Sequence, residues 1–524
     1  MILPILFFLL AAGALASAAI PTRFRTAHFA VSLIPGAAAF LLAFPLPFSR
    51  TFSIAWEPSN LFPGSIAYAA SPQASAFAVY FCMLLFLLEW TRPLRASSGR
   101  FARASIFLLA LASILAGCAA NPLSVLISWA LLDFVSLLAA SAGNPSVEIG
   151  TLGVSATLDR AMAVFALNVT GSALVLLSLY GGGNPTFPLA ISAIPDGLPA
   201  ALFFCGLAVR LAAAPVQIVF ARGKRKENDT EILLSVAAPA SALCLLSNLG
   251  LPSAVPSAGT IVLLVFLMAV LIWGAWRWFA APDPHEQRAS FFFLIPGFAF
   301  VSALLTPDPR ICLAAGSMLV LGGGVLSTHI GFLRHRPWLS FFPVVLGLLA
   351  AGFPFSPFSI FSSNVYPALA PNYTGFIFLY VVFQVLLVGA VFRTAFQAVD
   401  EFPSNEPVFL FSFSFGSACG LAAALYPGWS TEITFQRIGL PLALLTGAAG
   451  AAFLLRRLHR SGRYPRWLPR EASNPFDRAS KPALVVFRFF SAAFSAVESF
   501  LSGEGAMLWS LGIALLIYLM LRGG

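Results

Sequence analysis

Asn121-Pro-Leu-Ser-Val-Leu-Ile-Ser-Trp-Ala-Leu-Leu-Asp-Phe-Val-Ser-Leu-Leu138 is a continuous apolar run broken by one formal charge, Asp133. A helix of this length approaches the roughly 30 Å hydrocarbon thickness of a bilayer. An acid near the membrane centre costs about 2.5 to 3.5 kcal/mol on insertion scales, so it faces a partner, a wet cavity or an ion path. Further along, Gly206-Leu-Ala-Val-Arg-Leu-Ala-Ala-Ala-Pro-Val-Gln217 holds the complementary base, Arg210, inside a second apolar run. Function is to be sought at these two charges.

Runs of the same kind recur throughout the chain. Hydrophobic residues make up 59% of it and charged residues 10%, a balance that excludes an ordinary soluble domain. About sixteen runs are long enough to span, and they are continuous rather than alternating, so they read as helices and not as barrel strands. The fold class expected is an all-α polytopic membrane protein. Its core occupies residues 1–456 with about fifteen spans. A basic cytoplasmic loop follows at 457–481, an amphipathic interfacial helix at 482–502 and a terminal span at 503–524.

Basic residues orient the spans. If the helices alternate, twenty-five lysines and arginines fall in odd-numbered loops, among them Arg23, Arg95, Arg160, Lys224, Arg334 and Arg466. Only Arg50, Arg310 and Arg437 fall in even-numbered loops. By the positive-inside rule the odd loops are cytoplasmic and both termini lie outside, with the chain in the inner (cytoplasmic) membrane. The net charge of +10 is then a property of the cytoplasmic surface and needs no nucleic acid.

Other chemistry is sparse. Cys82, Cys118, Cys205, Cys244, Cys312 and Cys419 are scattered through apolar runs without metal-ligand spacing and read as small packing residues. No iron–sulfur, haem or nucleotide-binding motif is present, so no cofactor is expected and any redox chemistry belongs to partner chains. Residues 2 to 19 end on Ala16-Ser-Ala-Ala19, like a cleavage site. No positive charge precedes them and Pro4 interrupts their start, so they read as the first span.

The run from Asn121 to Leu138, with Trp129 and Asp133, resembles the fifth helix of the antiporter-like membrane subunits of respiratory complex I, membrane hydrogenases and Mrp-type antiporters. The next segment, opening Asp159-Arg160, is similar to the family's sixth helix, and Gly206 to Gln217 to its broken seventh, where a lysine precedes a proline and a glutamine. Order and spacing agree across residues 66 to 365. Gly503-Glu504-Gly505 followed by Trp509 looks like the entry to a terminal helix of the larger members. The resemblance implies about fourteen core helices, two inverted five-helix repeats, and broken helices 7 and 12. It also implies partners: other membrane subunits of a complex I-like assembly, with protons or sodium as the transported ion.

On the residues themselves, Pro215 cannot donate a backbone hydrogen bond, so the helix is expected to open about one turn past Arg210, with Gln217 near the freed carbonyls. By resemblance Arg210 stands where the family has a proton-relaying lysine, yet a guanidinium stays charged across physiological pH. The family's glutamate follows the tryptophan directly, where this chain has Ala130. Asp133 lies one turn on, on nearly the same face, from which it pairs with Arg210 or Arg160. The proton-path candidates are therefore Asp133, Arg160, Arg210, Gln217 and His329. Helices eleven and twelve lack the family's lysine or glutamate, while Gly352-Phe-Pro354-Phe-Ser-Pro357 keeps a helix-breaking character. Phe487, Phe490, Phe494, Val497 and Leu501 form one apolar stripe, which suits a helix lying in the cytoplasmic interface or one covering a core groove.

Three functions fit these residues. The chain is a proton-translocating membrane subunit of a complex I-like assembly, a degenerate scaffold or coupling paralogue without a complete channel, or an independent transporter of a small anion that binds at Arg210. The charge pattern makes one direct prediction. Single-cysteine labelling of intact cells should find both termini outside and the loop holding Lys224 inside, and the opposite pattern would overturn the orientation.

Overall fold

Proline marks where many of the helices begin. Pro72, Pro122, Pro309, Pro357 and Pro407 each open a helix; at that position the missing N–H has no intrahelical partner to lose. The structure, a computed structural model, describes residues 2–20, 25–43, 52–54, 66–91, 100–142, 152–181, 197–211, 229–248, 258–281, 288–306, 308–328, 341–369, 374–396, 407–425 and 435–460. The expected basic loop, interfacial helix and terminal span, with Glu504, lie outside the described residues, apart from the end of the last helix.

In chain order the helices are α1 (Ile2–Ala19), α2 (Arg25–Ala43), α3 (Pro72–Thr91), α4 (Arg100–Cys118), α5 (Pro122–Ala142), α6 (Leu152–Gly181), α7 (Leu198–Arg210) and α8 (Asp229–Asn248). Next come α9 (Ala258–Ala280), α10 (Phe291–Leu305), α11 (Pro309–Thr328), α12 (Phe341–Ala351) and α13 (Pro357–Leu369). The described part closes with α14 (Thr374–Phe396), α15 (Pro407–Ala424) and α16 (Phe435–Arg460). Six of these segments are long and apolar enough to cross a membrane, and further shorter apolar helices accompany them. The protein is an all-α polytopic membrane protein, as its composition requires.

A short hairpin is the exception to the helical pattern. Strands β1 (Phe52–Ile54) and β2 (Ile66–Tyr68) pair antiparallel, and β2 is stitched to the α4–α5 junction by Ala69 N–H to Cys118 O (2.7 Å) and Ala120 N–H to Ala67 O (2.9 Å). Ser124 Oγ accepts from Ala67 N–H at 2.9 Å, and Tyr68 OH meets Ser128 Oγ at 3.2 Å. Sequence reading did not anticipate this hairpin, because three-residue strands carry too little periodicity to stand out.

The centre of the bundle is α11, whose apolar window is 94% buried. It packs on α3, α8, α10 and α13. Helices in lipid gain little from the hydrophobic effect and associate through close packing of small residues. α11 shows this directly: a Cβ at Gly316 would fall 2.5 Å from Phe77, and one at Gly323 would fall 2.5 Å from Phe292. Its backbone loosens into a π turn at Met318–Gly322. Several buried hydroxyls within the helices are satisfied locally, as with Ser113 to Leu109 O, Thr91 to Leu87 O and Ser317 to Ala314 O.

Residues 341–369 form two helices rather than one. α12 stops at Ala351, and α13 starts at Pro357 and runs on to Leu369. Gly352 turns the chain at φ +87°, and Phe355 follows at φ +66°. Ser356 then caps α13, its Oγ accepting from Ser359 N–H at 3.2 Å. Pro354 and Pro357 cannot donate, so a continuous helix would lose hydrogen bonds at both. The left-handed backbone predicts opposite responses at two nearby positions. Gly352→Ala should destabilise the protein by about 1–2 kcal/mol, whereas Phe355→Gly should leave the backbone unstrained. Melting in detergent checks both, through a fall for the first and no fall from backbone strain for the second.

Candidate functional site

Arg210 is the last residue of α7, and its side chain turns back along the helix between α5 and α6. Asp133 and Arg210 are 1% and 0% exposed, so neither points to lipid. They meet in a two-pronged ion pair: Arg210 Nη1 donates to Asp133 Oδ2 at 2.8 Å and Nη2 donates to Oδ1 at 3.1 Å. Nη1 also reaches Ser172 Oγ at 2.7 Å and the Asn168 carbonyl at 3.1 Å. The guanidinium carbon lies 4.2 Å from the centre of the Trp129 ring. Fork-to-carboxylate geometry is the strongest form of the salt bridge, and an aromatic face beneath a desolvated guanidinium adds about 2 kcal/mol.

Local sequence places each member. Trp129 and Asp133 are four residues apart on α5, and Asn168 and Ser172 four apart on α6, so each pair presents one face to Arg210. The expectation that Asp133 shares a face with Ala130 needs correction. Ala130 is on the exposed side of α5, while Trp129 and Asp133 are buried. An offset of three residues leaves about 60° between side chains and an offset of four about 40°, so the acid faces inward with Trp129. Of the two bases named as partners for Asp133, Arg210 pairs with it.

Two glycines bring α6 and α7 close enough for these contacts. A Cβ at Gly206 would lie 2.7 Å from the Gly171 carbonyl oxygen, and one at Gly171 would lie 2.9 Å from the Gly206 carbonyl oxygen and 2.9 Å from Arg210 Cγ. The stem of Arg210 thus passes over bare backbone. Within this site Arg210 Nε and Trp129 Nε1 are buried donors without an acceptor.

The described helix ends at Arg210 itself, with Leu211 N–H closing on Leu207 O at 2.8 Å, rather than one turn beyond it. Pro215, Gln217 and His329 lie outside the described residues, and Arg160 is described only as backbone of α6. Gly352, Pro354 and Pro357 belong to the turn between α12 and α13, two helices that pack mainly on α10, α11 and α14. Sequence reading missed Ser172, the Asn168 carbonyl and Gly171. It also missed Glu89, fully buried near the end of α3, and Arg103, 6% exposed on α4. A lone acid in the apolar run Phe77 to Trp90 was the available signal for Glu89. Among the described residues no group of histidines, cysteines and acids is arranged to hold a metal ion.

No protein-family model and no curated protein sequence matches the chain. Solved structures do match. A chain of respiratory complex I from Thermus thermophilus, determined with bound aureothin, is 19% identical, with a TM-score of 0.59 over 82% of this chain and 98% of that one. A chain of the Mrp complex from Dietzia sp. is 14% identical, with a TM-score of 0.66 over 99% of this chain and 62% of that one. A chain of the archaeal membrane-bound sulfane sulfur reductase, a respiratory membrane complex, is 16% identical, with a TM-score of 0.62 over 99% and 100%. The chain has an antiporter-like fold.

Breaking one side of such a pair strands a buried charge, while replacing both sides with apolar groups does not. Asp133→Ala or Arg210→Met alone should cost about 3–5 kcal/mol, and Asp133→Leu combined with Arg210→Met should recover most of that loss. Thermal unfolding of the four purified forms gives the answer, and additive losses would contradict the pairing.

Proposed function

We propose that the chain is a membrane subunit of a complex I-like assembly and takes part in proton translocation coupled to electron transfer in partner subunits. The buried Asp133–Arg210 pair, set at the end of a helix within an antiporter-like fold, is the observation that carries this reading. The neighbours in structure are chains of multisubunit membrane complexes, which supports other membrane subunits as partners here. The membrane is the cytoplasmic one, with both termini outside, on the strength of the arginine and lysine distribution.

The chemistry follows from what each group can do. Arg210 keeps its charge, so Asp133 is the member of the pair that takes up and releases a proton. A proton on Asp133 leaves the guanidinium uncompensated in an apolar surrounding, which drives Arg210 toward other acceptors. Loss of that proton restores the fork. Movement of the pair thereby couples protonation to the position of α7 against α5 and α6.

One geometric feature supports the scaffold reading as the alternative. The two hydrogens of Arg210 Nη1 serve three oxygens, on Asp133, Asn168 and Ser172, which is the arrangement expected of a fixed lock between helices. The small-anion transporter draws no such support, because the charge of Arg210 is already matched by a carboxylate.

Purification from native membranes, followed by identification of co-migrating chains, tests the assembly. Arg210→Met and Asp133→Asn then separate the readings. Proton pumping per assembled complex should be abolished in both variants if the pair relays protons. Unchanged pumping per assembled complex, with reduced assembly, would show the lock instead.

A further inference from the structure

The second helix interruption, between α12 and α13, is surrounded by rings. Phe298 of α10 stands at the centre of a cluster, with ring centres 4.7 Å from Phe383, 4.8 Å from Tyr380, 5.0 Å from Phe361 and 5.8 Å from Phe358. Phe358 and Phe361 belong to the first turns of α13, and Tyr380 and Phe383 to the facing side of α14. All five side chains are fully buried. We propose that this interruption is a sealed hinge rather than an ion passage, closed by the five aromatic rings that join α10, α13 and α14. The inference extends the proposed function to the route of the proton, and it rests on that reading.

Irregular backbone at membrane depth survives where it is held by protein or lines water. At this turn several polar groups are held by protein. Gly352 N–H bonds to Leu349 O at 3.2 Å and Ser356 N–H to Phe353 O at 2.9 Å. Ser359 Oγ donates to Ser356 O at 2.6 Å, and Ser362 Oγ donates to Ser359 O at 2.9 Å.

The hydroxyls beside the rings form no continuing wire. Ser302 Oγ gives its one hydrogen to Phe298 O at 2.7 Å, so Tyr380 OH donates to Ser302 at 2.9 Å. That short chain ends on a backbone carbonyl, which has no proton to pass. Tyr366 OH donates to Gln384 Oε1 at 2.6 Å and ends on an amide. Among the described residues, α10, α12 and α13 hold no charged side chain, Arg393 of α14 stands in its last turn, and Asp308, ahead of α11, accepts from Asn364 Nδ2 one turn past Phe361. An ion or hydronium entering the ring cluster would lose its hydration among five rings that carry no counter-charge themselves. A proton handled at Asp133 therefore does not leave through this second interruption.

The test places a thiol behind the seal. Ser302→Cys is introduced into the assembled complex in sealed membrane vesicles, and a charged, membrane-impermeant methanethiosulfonate is added to either side. Labelling is read at residue 302 by mass spectrometry, so the native cysteines do not confuse the result. The introduced thiol should stay unlabelled from both sides and become labelled several-fold faster when Phe298→Ala is added. Should Phe298→Ala prevent assembly, Phe383→Ala removes the nearest neighbouring ring and is read in the same way. Labelling at position 302 with all five rings intact would overturn the proposal, because water then reaches this layer. Absence of labelling after ring removal would overturn it too, because the rings would not be what closes the passage. Neither result depends on Asp133, so a failure here is distinct from retained pumping in Asp133→Asn.

Discussion

A charge in the apolar interior of a membrane protein has to be answered by another charge, and the Asp133–Arg210 fork is that answer here. Its consequences spread through the surrounding helices. α7 stops at Arg210, so the side chain can fold back between α5 and α6. Gly171 and Gly206 leave their two helices almost in backbone contact, which brings Ser172 and the Asn168 carbonyl within reach. Trp129 covers the guanidinium with its ring. Remove any of these and the pair is left either short of donors and acceptors or held apart from its partner.

The end of α7 and the turn between α12 and α13 differ in character. The first carries a matched acid and base, a polar hydroxyl and two buried donors. The second carries a serine cap and a block of rings. At the second, the helix-breaking residues Gly352, Pro354 and Pro357 stand between two helices that carry no charged side chain. A sealed turn still bends a helix, and a bend has mechanical uses that do not require water.

Much of this was legible in the sequence, for physical reasons that can be named. Spans were legible because apolar runs of bilayer length have few alternative explanations, and proline marked several of their starts. The pair was legible because two isolated opposite charges in such runs have to find each other or find water. Its exact geometry was not, because the difference between residues 130 and 133 is about 60° around a helix, and which side faces inward depends on neighbours distant in sequence. The α7 boundary shifted for a similar reason: Pro215 limits how far a helix can extend and does not require it to go that far. Ser172, Gly171 and the aromatic cluster were invisible, since small and aromatic residues are common in every span and only tertiary contact distinguishes these. Glu89 was visible as a lone acid but lies close enough to a helix end to pass for an interfacial residue.

The central claim is that Asp133 gains and loses a proton as the pair opens and closes. Infrared difference spectroscopy of the assembled complex, comparing resting and turning-over states, addresses it directly. A carboxylic acid C=O band should appear during turnover, shift on exchange into deuterium oxide, and vanish in Asp133→Asn. Spectra of wild type and Asp133→Asn that are identical in this region would contradict the account and leave the fork as a permanent brace between helices.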